Sequence, residues 1–300
     1  MEFNDFTLFN SFRKHKKIYL ILSINNLPPK DLYVEVDKIN VGLTQSYVKN
    51  CYEPIQINIY DLPVDKQDKE VISLTVEYNG LTYSNVLRNT KHKKGFMALT
   101  TLFKDDYTRF PIFYKYYKKQ GVEHFYMYYN GQINNDIADI VKGEDVTLVE
   151  WNFRYWNPKH FKYLHHAQLG QMHDALHQYG KNYEYMIFCD LDEYFFLKNV
   201  SLKSYIKEKD LDILGFRNIF CEDSPECLLS NQQVRLSEDK ELCIYQKRSK
   251  NIYRTNLFDL ICIHEPGPNV WTPINYYIQK YKMGTNNVMF HFKKWLPAGR

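Results

Sequence analysis

The segment Tyr185-Met186-Ile187-Phe188-Cys189 is apolar throughout and stops at once in Asp190-Leu191-Asp192-Glu193. A short apolar run bounded this sharply reads as a strand buried on both faces, the habit of parallel sheets covered by helices. Unpaired charge is expensive to bury, so the acidic cluster must lie outside that core. It marks the carboxyl end of the strand, the edge at which open α/β sheets bind their ligands. On an extended backbone Asp190 and Asp192 would point the same way and Leu191 the other. Two hard oxygen donors so placed suit Mg²⁺ or Mn²⁺ shared with phosphate oxygens. The plain alternative is a solvated acidic loop after a strand.

The surroundings of this strand support an α/β sheet. Phe96–Phe103 reads as a strand. Asp105 or Asp106 can cap the helix that follows, with Pro111 in its first turn and Gly121 beyond its end. Val122–Tyr129 and Thr147–Trp151 are further strands, with a short helix near Asn135–Val141 between them. A longer helix is expected over about Phe161–Tyr179. Strands alternating with helices imply parallel pairing with right-handed crossovers. Later strands are expected at Ile213–Phe216, Leu242–Gln246, Leu260–Ile263 and Val288–Phe292.

The first ninety residues have another rhythm. Ile18–Ile24, Leu32–Ile39, Ile55–Tyr60, Val71–Tyr78 and Leu81–Val86 are β-branched and aromatic runs, and Asn79-Gly80 is a two-residue hairpin signal. They predict a small all-β, sandwich-like domain over 1–90. The basic stretch Arg88–Lys94 separates it from an α/β domain over 91–300.

Composition narrows the partners. A formal net charge of +4 fits an anionic small molecule or loose contact with a membrane surface, and argues against nucleic acid. Aromatic residues make up 16% of the chain, which favours ring-lined surfaces, sugar sites among them. No run approaches the roughly 20 apolar residues of a membrane span. The six cysteines show no CxxC pair and read as reduced thiols, although Cys221 and Cys227 would pair in a secreted protein. His173 and His177 stand four apart on the long helix, but without an HExxH motif they read as a wet helix face, not a zinc site.

Four blocks in order carry a resemblance. They are Ala98–Asp106 with Gly121-Val122-Glu123-His124-Phe125-Tyr126; Phe188-Cys189-Asp190-Leu191-Asp192-Glu193-Tyr194; Lys247-Arg248-Ser249-Lys250 with Ile261-Cys262-Ile263-His264; and Phe290-His291-Phe292-Lys293. On these residues the chain from about Phe96 to Lys294 resembles a GT-A glycosyltransferase, and most of all family 92 and its bacterial relatives. The resemblance implies a GT-A fold with a DxD motif, preceded by the β-rich domain. It implies metal-dependent, inverting transfer of a hexose from a UDP-sugar, UDP-galactose first. Asp190 and Asp192 would bind Mn²⁺ (or Mg²⁺) and through it the diphosphate. A histidine would be the third ligand: His264, at the end of the expected strand Leu260–Ile263, with His291 as competitor.

The same reading places the remaining roles. Lys247, Arg248 or Lys250 would add cationic charge at the diphosphate, and Thr101, Lys104, Asn130 and Gln168 would line the nucleotide pocket. The general base is sought among Glu222, Asp223 and Glu265, with Asp223 favoured. Its loop, Phe220-Cys221-Glu222-Asp223-Ser224, departs from the glycine- and serine-rich loop of family 92. The acceptor is expected to be a glycan or glycolipid, with Trp271 and Trp295 available to stack on a sugar. The enzyme is expected in the cytoplasm, with room for peripheral association at the inner face of a membrane, acting on surface-glycan precursors. Two other readings compete: a carbohydrate-binding protein with an inactive GT-A domain, and a Mg-dependent HAD-like phosphatase. In the latter the motif opens the domain, whereas three β/α elements precede it here.

Overall fold

The computed structural model describes residues 1–3, 5–24, 29, 32–49, 54–89, 94–156, 166–230, 232–238, 249–264, 281–282 and 288–292. The chain forms two compact units, residues 1–93 with 153–179, and residues 94–152 with 180–300. Residues 153–179 therefore group with the N-terminal strands, although a division at residue 90 assigned them to the second domain.

Among the described residues the first unit holds eight strands: β1 (Phe6–Lys14), β2 (Lys17–Ile24), β3 (Tyr33–Val36), β4 (Ile39–Asn40), β5 (Leu43–Lys49), β6 (Ile55–Asp61), β7 (Val71–Tyr78) and β8 (Leu81–Arg88). They make two antiparallel sheets, ordered β1-β2-β6-β5 and β4-β3-β7-β8. Alternation explains the core: Ile72, Leu74 and Val76 point inward from β7 and meet Ile18, Leu20 and Leu22 of β2. Asn79-Gly80 does turn the β7–β8 hairpin, with φ of +49° and +77°, the conformation of a primed turn. Sequence patterning missed β1, whose polar Asn10, Ser11 and Arg13 interrupt the apolar run.

Those polar residues of β1 have partners in the same unit. Along the chain the helices are α1 (Phe110–Lys119), α2 (Asn135–Ile140) and α3 (His166–Asp174), with α3 continuing as a π-helical turn to Tyr179. Asn10 donates from Nδ2 to Asp174 Oδ1 at 2.7 Å. Gly170 lets α3 approach, since a Cβ there would lie 2.6 Å from the Phe9 ring. Every residue of α3 is buried, which corrects the expected wet face. His173 Nδ1 lies 2.9 Å from the Leu169 carbonyl, one turn back in its own helix. The Phe161–His165 start of the expected helix is outside the described residues.

The second unit is built on one large mixed sheet. Its strands are β9 (Gly95–Phe103), β10 (His124–Tyr129), β11 (Val146–Glu150), β12 (Tyr183–Phe188), β13 (Glu193–Phe196), β14 (Ile213–Phe220), β15 (Ser249–Arg254), β16 (Tyr281–Lys282) and β17 (Val288–His291). The order is β11-β10-β9-β12-β15-β14-β17-β13, with β16 also pairing β14. The first four strands are parallel, as expected, while β15 and β13 run antiparallel to their neighbours. Helices α4 (Leu202–Lys209) and α5 (Glu226–Leu229) follow β13 and β14.

Three details depart from the sequence reading. Asp106 does not cap α1; its carboxylate folds back to accept from the Lys104 amide at 3.2 Å, and a 3₁₀ turn over Tyr107–Arg109 leads into the helix. The strand begun at Ile213 runs on to Phe220. Leu260–Ile263 is not a strand; after β15 the chain makes a 3₁₀ turn at Thr255–Leu257 and continues irregularly. The expected strand Leu242–Gln246 lies outside the described residues. Among those residues no helix is long and apolar enough to cross a membrane, and Cys189, Cys221, Cys227 and Cys262 are free thiols.

Candidate active site

The strand order creates a geometric demand at the acidic motif. In a flat sheet β12 and β13, four steps apart, would be separated by roughly 19 Å. Yet the Glu193 amide donates to the Asp190 carbonyl at 3.1 Å. The sheet therefore curls back on itself, and the Asp190–Glu193 turn is the hinge of that curl. The motif is thus a tight turn, not the extended segment expected, because β13 must start immediately after β12 ends.

Buried groups hold the turn from inside. Leu191 is buried in the core cluster of this unit. Tyr117 of α1 donates its hydroxyl to the Glu193 carbonyl at 2.8 Å and accepts from the Phe195 amide at 3.1 Å. Its neighbour Tyr116 donates to the Phe195 carbonyl at 2.7 Å. Burial pushes the Tyr117 phenol well above its ordinary value, so it remains a neutral donor.

Three carboxylates and three cations meet at the turn. Lys250 Nζ on β15 lies 3.1 Å from Asp190 Oδ2 and 3.3 Å from Glu193 Oε2. Glu193 Oε2 also accepts from the Asp190 amide at 2.8 Å. His291 Nε2 on β17 lies 3.2 Å from Asp192 Oδ2, and Arg109 Nη1 lies 3.7 Å from the same oxygen. Lys250, Glu193 and Arg109 are all buried. Burial alone would raise the Asp192 carboxyl, but the His291 charge and hydrogen bond, with Arg109, bring it down to about 2. Burial would lower His291, and Asp192 overcomes it, so the imidazole is raised. Burial works against the Lys250 ammonium, yet Asp190 and Glu193 hold it protonated. Burial raises Glu193 above the usual carboxylate range, and the Lys250 ammonium opposes that rise by favouring the charged carboxylate.

Register sets these groups side by side. Glu193 pairs with His291, and His291 with Phe220 of β14, whose ring stacks on the imidazole at 4.7 Å. Glu222 and Asp223 therefore leave the sheet next to His291. Both face Arg235: its Nε lies 3.6 Å from Glu222 Oε2, its Nη2 3.4 Å from Asp223 Oδ1, and its amide donates to Asp223 Oδ2 at 2.5 Å. On the opposite face of β13, β17 and β14 lies a cavity of about 880 Å³ lined by Phe196, Phe290, Ile219, Gln120, Gln233 and Val234 among others.

Of the residues singled out in the sequence, Asp190, Asp192 and Lys250 are brought together. The histidine beside Asp192 is His291; for His264 the structure shows its backbone carbonyl accepting from the Ser249 hydroxyl, on an irregular segment where a strand was expected. Among the described residues no three His, Cys, Asp or Glu side chains gather as a metal cage. Thr101 is 1% exposed and belongs to the core, and Lys104 is exposed one residue past β9. Asn130 fastens strand ends, its amide donating to Phe103 O and its Nδ2 to Trp151 O, each at 2.8 Å. Gln168 lies on α3 in the first unit, accepting from Tyr155 Oη at 3.3 Å. Lys247, Arg248, Glu265, Trp271 and Trp295 are outside the described residues.

Two members of the cluster went unassigned in the sequence. Arg109 precedes α1, where a cation opposes the helix dipole and so needs an anion nearby. That opposition was the available signal. Glu193, a third acid at the first position of a buried strand, was the other.

The sequence model of Glycosyltransferase family 92 matches residues 96–297, more than half of the chain. The chain belongs to glycosyltransferase family 92. Family 92 is a glycosyltransferase family, which suggests glycosyl transfer in general and favours it over the phosphatase reading. No curated protein matches. Among solved structures, "Anomalous substructure of Titin-A168169" is 9% identical with a TM-score of 0.19, over 32% of this chain and 58% of that one. "Tandem Ig repeats of Dlar" is 14% identical with a TM-score of 0.18, over 32% of this chain and 54% of that one. The chain thus spans little more than half the length of either, and scores this low bear on neither fold nor function.

Proposed function

We propose that the second unit is a GT-A domain that transfers a hexose from a UDP-sugar, UDP-galactose first, to a glycan or glycolipid acceptor with inversion. The observation that carries this reading is the Asp190–Asp192 turn at the carboxyl edge of the sheet, where buried cations meet it. A divalent cation fits these residues. Asp190 and Asp192 supply hard oxygen donors, and the Asp190 side chain is 36% exposed. Mn²⁺ or Mg²⁺ is commonly held by one or two carboxylates and completed by substrate phosphates, so a protein cage is not required. When bound, it would supply positive charge as the diphosphate leaves.

The chain's own residues would do the rest. Lys250 stands at Asp190 with an ammonium ready to meet a phosphate oxygen, and His291 and Arg109 hold Asp192 in place. Asp223, on the loop beside His291, would take the proton of the acceptor hydroxyl. The acceptor would approach from the side on which Asp223 stands beside His291, in a cytoplasmic enzyme with room for peripheral association at the inner face of a membrane.

UDP release from a panel of UDP-sugars, with and without Mn²⁺, tests the reading. Donor-selective, metal-dependent release supports it. Release from no donor would overturn it in favour of a binding module without turnover.

A further inference from the structure

Glu193 is absent from every role assigned above, yet its carboxylate meets both the backbone of the motif and Lys250. Its Oε2 accepts the Asp190 amide at 2.8 Å and faces Lys250 Nζ at 3.3 Å. Lys250 Nζ in turn donates to Asp190 Oδ2 at 3.1 Å. These contacts close a ring that runs from the Asp190 backbone through Glu193 and Lys250 back to the Asp190 carboxylate. The Glu193 side chain is 4% exposed, so water does not stand in for it. A carboxylate this buried is retained at a cost unless its contacts fix something.

We propose that Glu193 is a positioning residue: through the Asp190 amide and through Lys250 it fixes the Asp190 carboxylate in the orientation that receives the donor's cation. The inference rests on the donor-site reading above. The backbone bond sets the main-chain torsion at Asp190. The ion pair keeps Lys250 divided between two carboxylates, so that its ammonium does not close over Asp190 alone. Without the Glu193 charge Lys250 would compete with a cation for Asp190. Without the oxygen as well, the turn would lose its inner hydrogen bond.

The test uses the full chain and its Glu193→Gln and Glu193→Ala variants, with two readouts. One is Mn²⁺ affinity in the presence of UDP by calorimetry; the other is amide hydrogen exchange at Asp190. Supporting partners of metal ligands change affinity by about 10–100-fold, so Glu193→Ala should weaken Mn²⁺ binding at least tenfold. It should also speed Asp190 exchange while the amides of β9 and β10 keep their protection. Glu193→Gln keeps an oxygen for the Asp190 amide, so it should restore the protection and only part of the affinity. A purely structural role would lower the melting point without this split.

Folded Glu193→Ala binding Mn²⁺ with UDP as wild type does would overturn the inference and leave the donor reading intact. Wild type that binds no Mn²⁺ with UDP would overturn both. If Glu193→Ala does not fold, Glu193→Gln decides alone: weaker binding at normal protection supports the role, and unchanged binding ends it.

Discussion

Asp192 and His291 are joined through Oδ2 and Nε2 at 3.2 Å, and the next residue, Phe292, donates its amide to the Asp192 carbonyl at 3.0 Å. Ninety-nine positions separate the two residues. This link fastens β17 against the turn that follows β12, so the last described strand completes the site begun by the fourth strand of the sheet. It also explains why a carboxylate that is 12% exposed stays ionised beside the core.

Asp192→Asn should abolish transfer, lowering the rate at least a hundredfold at saturating Mn²⁺. Arg109 and His291 would lose their shared anion, so stability should also fall by about 1–3 kcal/mol. UDP release and a thermal melt read the two effects separately. Activity within about tenfold of wild type would remove Asp192 from the donor site.

The same pair gives a pH dependence with a definite sign. His291 has a raised pKa in the folded protein, so its contribution is full below about 6.5 and is lost as pH climbs through the raised value. Asp192 is lowered to about 2; its contribution is full above about 3.9 and is lost as pH falls through the lower value. The pair therefore stabilises most between those limits. The melting point of wild type should exceed that of His291→Gln near pH 5–6, and the gap should narrow on the alkaline side. A gap independent of pH would show that the imidazole is not charged.

The sequence was most legible where patterning and burial coincide. Tyr185–Cys189 is apolar because β12 lies between β9 and β15, and Asn79-Gly80 turns because its φ angles must be positive. It was least legible where a polar residue is buried with a distant partner. Asn10 and Asp174 lie 164 positions apart, so β1 goes unrecognised in the sequence and the His173–His177 face of α3 reads as wet. His264 comes before His291 in the sequence reading because Leu260–Ile263 is an apolar run that reads as a strand ending at the sheet edge; the chain is irregular there, and the strand that reaches Asp192 is β17. Register between distant strands places His291 beside Asp192, and no local pattern carries that register.

Tyr117→Phe should cost about 1–3 kcal/mol, since one buried hydroxyl serves the Glu193 carbonyl and the Phe195 amide and neither has water to replace it. The loss should appear as a melting point several degrees lower. Catalysis should suffer too, because the turn would be held from one side only. A variant as stable as wild type would show that the strand start is fixed by packing alone.

His166 in the first unit should make that unit acid-sensitive. Burial lowers its imidazole to about 4, so the folded form excludes a proton that the unfolded chain accepts. Stability should then fall as pH drops from about 6.5 towards 4, by up to about 3 kcal/mol. His166→Phe, placed against Phe9 as the imidazole is, with ring centres 4.7 Å apart in the native contact, should flatten that slope. An unchanged slope in the variant would place the sensitive group elsewhere.

The proton acceptor is the most exposed of these assignments to direct test. Asp223 Oδ2 already accepts the Arg235 amide, and Oδ1 faces the Arg235 guanidinium, which sits on a side chain 70% exposed. A solvated guanidinium binds weakly and can yield to an incoming hydroxyl, whereas the amide bond keeps the carboxylate aimed. Asp223→Asn should therefore preserve the loop, leave donor affinity within about threefold, and lower kcat by roughly a hundredfold or more, because only the developing charge of the acceptor is affected. Glu222→Gln should be milder, since Glu222 makes no bond to that amide. If Glu222→Gln is the inactive variant, the base is its neighbour, and if only Glu265→Gln is inactive, the base stands beside His264. Activity in all three would remove the need for a carboxylate base, and the anomeric configuration of the product, read by NMR, would then show retention where inversion is expected.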